Sequence, residues 1–254
     1  MKMFLKICGA VHALCLIMLI LFLGIHISAF GMWFYQWQFS QTGNDGLTTY
    51  ERVNMHPDDL HEVTAHLIRY MQGRLPNQYR EAGADRNIVY QQNPVLQITT
   101  TISEEMRPFF SDIEIRHMHD VAEIFRFAFI LRNVLLILLL LTTVAFVLFG
   151  RNEKYILFYA WQYTSAAVAF GLIALAVMIA VNWRRAFIIF HLIFFSNDEW
   201  ILDANVDLLI NIVPYSFFET LSAFIGLFFA VGLIIMFAMG KLLAGRERQF
   251  RRSY

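Results

Sequence analysis

The sequence predicts a mainly α-helical, polytopic membrane protein with four transmembrane helices and a small extracytoplasmic α+β domain. Of its 254 residues, 58% are apolar and 16% charged, whereas a soluble domain carries about 25% charge. Phenylalanine alone occurs 25 times. The apolar residues gather in four runs too long for a globular core, and a bilayer is crossed by about 20 helical residues. Between the first two runs lies the polar, turn-rich stretch 35–126.

The first span is read over 1–34. Lys2 and Lys6 give it the flank of a secretory signal. Its apolar run exceeds the usual core of about 7–15 residues, and no small-residue cleavage site follows, so a retained anchor is predicted. "GMWFYQWQF" then reads as an interfacial aromatic belt.

The outer domain is placed at 35–126. Residues 41–49, "QTGNDGLTT", form a turn-rich linker. In "MHPDDLHEVTAHLIRYMQGRL", Leu60, Val63, Leu67, Ile68 and Met71 recur at helical spacing, with Pro57 near the start and Gly73 near the end. Residues 74–87 are polar and loop-like. "IVYQQNPVLQITTTI" is rich in β-branched residues and broken by proline, which suits a short edge hairpin. A helix is expected from Ser103, with Glu104 and Glu105 in its first turn, running on into the second span at 127–150.

The third span is read over 155–183. The segment 184–213 is apolar but interrupted by His191, Asn197, Asp198, Asp203 and Asp207, and is expected to lie at the membrane interface. Pro214 suits the first turn of the fourth span, 214–240. A basic tail, 241–254, follows it.

Orientation comes from the flanks. With the N-terminus inside, all four lysines (Lys2, Lys6, Lys154, Lys241) are cytoplasmic, as are Arg151, Arg246, Arg248, Arg251 and Arg252. The positive-inside rule favours this arrangement, despite Arg126 and Arg132 at the outer end of the second span. The formal net charge is zero, which gives a nucleic-acid role no electrostatic support. Cys8 and Cys15 share one apolar helix and read as packing residues.

"HEVTAH" (61–66) invites a metalloprotease reading and fails on geometry. The zinc motif needs histidines four apart, whereas His61 and His66 are five apart, roughly 140° around a helix. A solvated helix face is the simpler account.

"EIRHMHDV" (114–121) crowds titratable groups just before the second span. On a helix, His117 shares a face with Glu114 and Asp120, either of which could orient its ring by a hydrogen bond, Asp120 preferred. His119 neighbours Glu123 and faces water. His191 is a lone titratable group in "FIIFHLIFF". The topology sets it at about the same outer level as His117, and polar groups near lipid tend to be functional.

Three stretches together resemble the bacterial lipoprotein intramolecular transacylase family: "MHPDDLHEVTAHLIRYMQGRL", "FFSDIEIRHMHDVAEIF" and "FHLIFFSNDEWILDANVDLLINIVPYSFF". The more specific features are E-x-x-H-M-x-D-V before the second span and F-H-x-x-F-F…W after the third. Matched to them, the family's two functional histidines fall on His117 and His191. The resemblance implies transfer of the sn-2 acyl chain from the diacylglyceryl group of a lipoprotein to the α-amine of its N-terminal cysteine. The product is an N-acyl, S-monoacylglyceryl lyso form. It also implies no cofactor, metal or nucleotide, and a multi-pass protein in the cell membrane of a bacterium, Gram-positive in type. The expected partners are the diacylated lipoprotein and membrane lipid, with the protein acting as a monomer.

The residues suit that chemistry. An α-amine with a pKa near 8 must shed a proton before attacking an ester, and histidine is the side chain poised to take it. His117 is assigned as base and His191 as acid. The alternatives are the reverse, or one histidine serving both steps while the other stabilises the oxyanion. Asn197, Asp203 and Asp207 are expected to donate or organise hydrogen bonds around the site, and Trp200 to pack against acyl chains; plain capping of an interfacial loop is the alternative. Two other functions stand beside this one. The first is a non-enzymatic scaffold or sensor with a ligand-binding outer domain. The second is a membrane hydrolase, disfavoured because no G-x-S-x-G is present and only Ser111 and Ser196 offer a nucleophile.

Overall fold

The computed structural model describes residues 1–43, 45–74, 88–90, 98–102 and 105–252. In chain order the elements are α1 (Lys2–Ala29), α2 (Met32–Phe39), α3 (Thr49–Val53), α4 (Pro57–Met71), β1 (Ile88–Tyr90), β2 (Ile98–Ile102), β3 (Glu105–Pro108), α5 (Asp112–Phe149), α6 (Lys154–Val181), α7 (Trp183–Phe194), α8 (Leu209–Ile212) and α9 (Tyr215–Arg252). The protein is mainly helical, and among the described residues α1, α5, α6 and α9 are the four helices long and apolar enough to cross a membrane. Two compact units are distinguished: Met1–Ser28 with Phe129–Trp183 and Ser222–Tyr254, and Ala29–Ala128 with Arg184–Leu221.

The first unit consists of the apolar stretches of the four long helices. Ala13 and Ile17 of α1 pack with Phe229, Leu233 and Met236 of α9. Elsewhere the helices turn large apolar side chains outward, among them Val134, Ile137 and Leu141 of α5. That is the expected distribution where the solvent is lipid. Close approach is made with glycine: a Cβ on Gly240 would lie 2.7 Å from the backbone oxygen of Phe158 in α6. The one buried imidazole of α1 is satisfied. His12 Nδ1 accepts from Trp161 Nε1 at 3.2 Å, and its Nε2 lies 3.3 Å from the Thr143 hydroxyl. That hydroxyl already donates to Leu139 O, so the imidazole Nε2 is the donor to it.

The second unit has an aromatic core. Phe34, Phe39, Leu60, Val63, Leu67, Phe109, Phe110, Leu209, Ile212 and Phe217 are buried together. The helix predicted from the spacing of Leu60 to Met71 is α4, with Pro57 at its first position and Gly73 at φ 64° just beyond its end. Glycine adopts that left-handed conformation without steric penalty. The three strands form one antiparallel sheet in the order β1-β2-β3. Ile88 faces Thr100 and Thr100 faces Arg107 across it. The expected hairpin is therefore present as the β1–β2 pair; its connection and residues 75–87 of the predicted polar loop lie outside the described residues.

Two expectations are corrected, and one short helix is additional. The first span stops at Ala29 rather than 34, because Gly31 takes extended backbone and a separate helix, α2, begins at Met32. The aromatic stretch that reads as a belt is thereby divided: Phe34, Tyr35 and Phe39 are buried, while Trp33 and Trp37 stay exposed. Of the helix expected from Ser103, residues 103 and 104 lie outside the described residues, residues 105–108 pair with β2, and α5 begins at Asp112. Pro108 carries the physical reason, because the residue preceding a proline is driven toward extended backbone. Finally, the turn-rich linker leads into a short helix, α3, closed at its start by a reciprocal capping box between Thr48 and Glu51.

Candidate active site

The candidate site lies in the second unit and is built by α5, α7 and the segment 195–208. α7 is amphipathic in an unusual sense: Ile189, Phe190, Leu192, Ile193 and Phe194 are exposed, and His191 is its buried residue. One helical turn earlier, the Phe187 carbonyl lies 2.8 Å from His191 Nδ1. A carbonyl only accepts, so Nδ1 carries the hydrogen and the lone pair of the neutral ring sits on Nε2.

His117 comes from the first turns of α5, ten residues ahead of the apolar run that begins at Phe127. The two imidazole centroids are 6.0 Å apart with planes tilted by 31°. His117 is 8% exposed and His191 7%. Phe195 closes against both rings, at 5.0 Å from His117 and 5.4 Å from His191. Phe187 and Trp200 flank His191 at 4.1 and 4.8 Å. Burial among these rings holds His191 below the usual imidazole range, only partly offset by its bond to Phe187. It is therefore neutral at pH 7, ready to accept a proton at Nε2.

The segment that carries Phe195 and Trp200 is fastened to α5 on either side of His117. Arg116 pairs with Glu199, and Asp120 accepts from Asn197 Nδ2 at 2.8 Å. Asn197 Oδ1 in turn accepts from the Glu199 amide. Arg116 and Asp120 are four apart, so one helix face presents both clasps.

Deeper in the unit, Glu114 is 1% exposed. Its carboxyl accepts from the amides of Ser111 and Leu209. Ser111 Oγ donates to Asp207 Oδ1 at 2.8 Å, and Asp207 Oδ2 accepts from the Asp203 amide at 2.8 Å. Asp203 also caps its own loop, accepting from the Asn205 backbone and side chain. Two buried carboxyls thus bind the loop ahead of α8 to the start of α5.

These contacts revise the supporting roles expected from sequence. His117 and His191 are brought together as predicted. Neither Glu114 nor Asp120 hydrogen-bonds His117, whose Nδ1 is buried without a partner among the described residues. Helical spacing put them on one face, but Glu114 is consumed by backbone amides and Asp120 by Asn197. Asn197, Asp203 and Asp207 are likewise committed to holding loops rather than to a reacting oxygen. Trp200 stands against His191 itself. Sequence reasoning passed over Ser111 as a structural donor and missed Phe195 and the Arg116–Glu199 pair. His119 is exposed as expected, with Tyr70 Oη 3.3 Å from its Nδ1. Of the histidines of "HEVTAH", His61 bonds Tyr50 Oη at 2.8 Å. His66 is half-buried rather than on a solvated face, and burial pushes it down to about 4.

Four membrane-length helices among the described residues mark a multi-pass membrane protein, and the buried imidazole pair is its candidate site. A family model described as "Lipoprotein intramolecular transacylase Lit" matches residues 10–218. The chain belongs to that family, and is an acyltransferase acting on lipoproteins by intramolecular transacylation. Among solved structures it is similar to Lit from Bacillus cereus, with a TM-score of 0.72 and 20% identity, over 98% of this chain and 100% of that one. Two variants of the same protein, with one histidine changed to arginine or to alanine, each align with a TM-score of 0.67 at 20% identity. The alignment with the arginine variant covers 98% of this chain and 95% of that one, and with the alanine variant 98% and 97%. These likenesses show a shared fold. No curated protein sequence matches the chain.

Proposed function

We propose that the protein moves the sn-2 acyl chain of a diacylated lipoprotein to the α-amine of its N-terminal cysteine, using His191 and His117. The observation that carries this reading is the pair itself: two buried imidazoles 6.0 Å apart, with the accepting nitrogen of His191 fixed by its bond to Phe187. The neutral amine attacks the ester carbonyl, forming the C–N bond and pushing the carbonyl electron pair onto oxygen. The nitrogen, now positively charged, gives a proton to His191 Nε2. As the oxyanion collapses, the bond to the glycerol sn-2 oxygen breaks, and that oxygen takes the proton back from His191. Amide and alcohol result, and the proton first lost by the ammonium form goes to solvent.

His117 serves as a hydrogen-bond donor in this scheme. Its Nδ1 is buried and unpartnered, so the tautomer protonated at Nε2 leaves an acceptor rather than a donor orphaned, and frees an N–H for the reacting oxygen. The roles are thus the third of those the sequence leaves open, with His191 as base and then acid. Holding amine and ester in one molecule supplies much of the rest, since well-aligned intramolecular reactions reach effective molarities of about 10⁵–10⁸ M.

The second unit is proposed to be an extracytoplasmic α+β domain, with both chain termini inside and the histidines at the headgroup level of a bacterial cell membrane of the Gram-positive type. The lysine distribution supports the orientation. The exposed apolar residues of α7 suit a helix resting on lipid. The protein acts as a monomer on one lipoprotein at a time.

The test is the mass and acyl position of a lipoprotein's N-terminal peptide from membranes with and without the protein. An N-acyl, S-monoacylglyceryl peptide found only with the protein is expected; unchanged diacylglyceryl peptide in both would overturn the assignment. The pH dependence follows from the two titrations. The amine must be neutral, so kcat/KM rises about tenfold per pH unit up to a pKa near 8. His191 must also be neutral, and because burial lowers its pKa, its protonation steepens the profile only below the ordinary imidazole value. A second break at or above pH 7 would contradict a buried, neutral base.

A further inference from the structure

We propose that Trp200 donates its indole N–H to the carbonyl oxygen of the ester under attack, and so stabilises the oxyanion. This rests on the acyl-transfer reading above and adds a catalytic residue to it. Attack on an ester carbonyl puts a full negative charge on one oxygen of the tetrahedral intermediate, and a site without donors aimed at it is slow. The polar side chains around the site are occupied. Asn197 Nδ2 is held by Asp120. Ser111 Oγ is held by Asp207. Asp203 and Asp207 present carboxyls to backbone amides.

Trp200 differs from all of these. Its Nε1 is buried and has no hydrogen-bond partner among the described residues, while the indole as a whole is half-buried and lies 4.8 Å from the His191 ring. A buried donor left unpaired costs about 1–3 kcal/mol, so such groups normally have a partner. Indole nitrogen can only donate, never accept. An acceptor entering beside His191 is the group this donor lacks, and a substrate carbonyl is such an acceptor. Because Nε1 has no exposed surface, the bond forms only when the indole moves as substrate enters. With His117 Nε2, the site then offers two donors to one oxygen.

The experiment uses the full-length protein in detergent with a synthetic diacylglyceryl lipopeptide. Position 200 carries either Trp200→Phe or benzothienylalanine, which keeps the bicyclic shape and replaces N–H with sulfur. His191→Ala is run alongside. Loss of one oxyanion donor lowers kcat by about 10²–10³-fold. The expected result is a fall of that order for benzothienylalanine, with KM and the melting midpoint unchanged. Trp200→Phe should fall at least as far. Full activity with benzothienylalanine, or a raised KM at unchanged kcat, shows a packing role and overturns the proposal. The His191→Ala arm separates the two claims. If it is inactive while benzothienylalanine is fully active, only the Trp200 role fails; if it is fully active, the acyl-transfer mechanism itself fails.

Discussion

Replacing His191 by alanine is expected to lower the rate of N-acyl lyso-lipoprotein formation by about 10²–10⁴-fold, the range that a positioned acid–base group supplies. The protein should remain in the membrane at its normal level, because the only hydrogen bond of the His191 side chain among the described residues is to Phe187 within its own helix. His117→Ala is expected to cost about 10²–10³-fold, the effect of removing one donor to an oxyanion. Glutamine distinguishes the two roles. Its amide nitrogen can stand in for a donating Nε2–H but cannot carry a proton from amine to alcohol. His117→Gln should therefore recover part of the activity that His117→Ala loses, while His191→Gln should be as inactive as His191→Ala. A mass-spectrometric time course on the lipopeptide reads all four variants. Recovery at position 191 but not at 117 would exchange the assignments.

Glu114→Ala is expected to destabilise the protein by about 3 kcal/mol, since two buried amides lose their acceptor at about 1–3 kcal/mol each. Those amides belong to Ser111 and Leu209. Glu114→Gln keeps one accepting oxygen and should lose about half as much. The readout is thermal unfolding in detergent, with the pH profile measured on the folded fraction. If Glu114 acted by raising the basicity of His117, the substitution would move the pH profile and leave the melting midpoint alone. The geometry predicts the opposite pattern: a lower midpoint and an unmoved profile.

Much of the architecture was legible because it rests on local physics. Runs of apolar residues mark the four long helices, and the spacing of Leu60, Val63, Leu67 and Met71 marks α4 with its proline start and glycine end. The pairing of His117 with His191 was also legible, once the topology put both on one side. What escaped was set by tertiary contact. The strand at 105–108 exists by pairing with β2, although Pro108 hinted that a helix could not already be under way. The partners of Glu114 and Asp120 were misjudged because helical spacing reports which side chains share a face, not which of them is claimed by a segment 95 or 77 residues away. Glu114 bonds Leu209, and Asp120 bonds Asn197. The unpartnered Trp200 nitrogen had no signal in the sequence at all, since an orphaned donor is visible only when every neighbour is placed.

The claim on which the account turns is that one imidazole pair moves an acyl chain within a single lipoprotein. It is tested most directly by an isotope crossover with the purified protein. One lipopeptide carries deuterium in both its sn-2 acyl chain and its peptide, and an equal amount of a second carries neither. The account predicts N-acyl products that are doubly labelled or unlabelled, with no mixed species at any substrate concentration. Mixed products, rising with concentration, would contradict it and point to transfer between molecules.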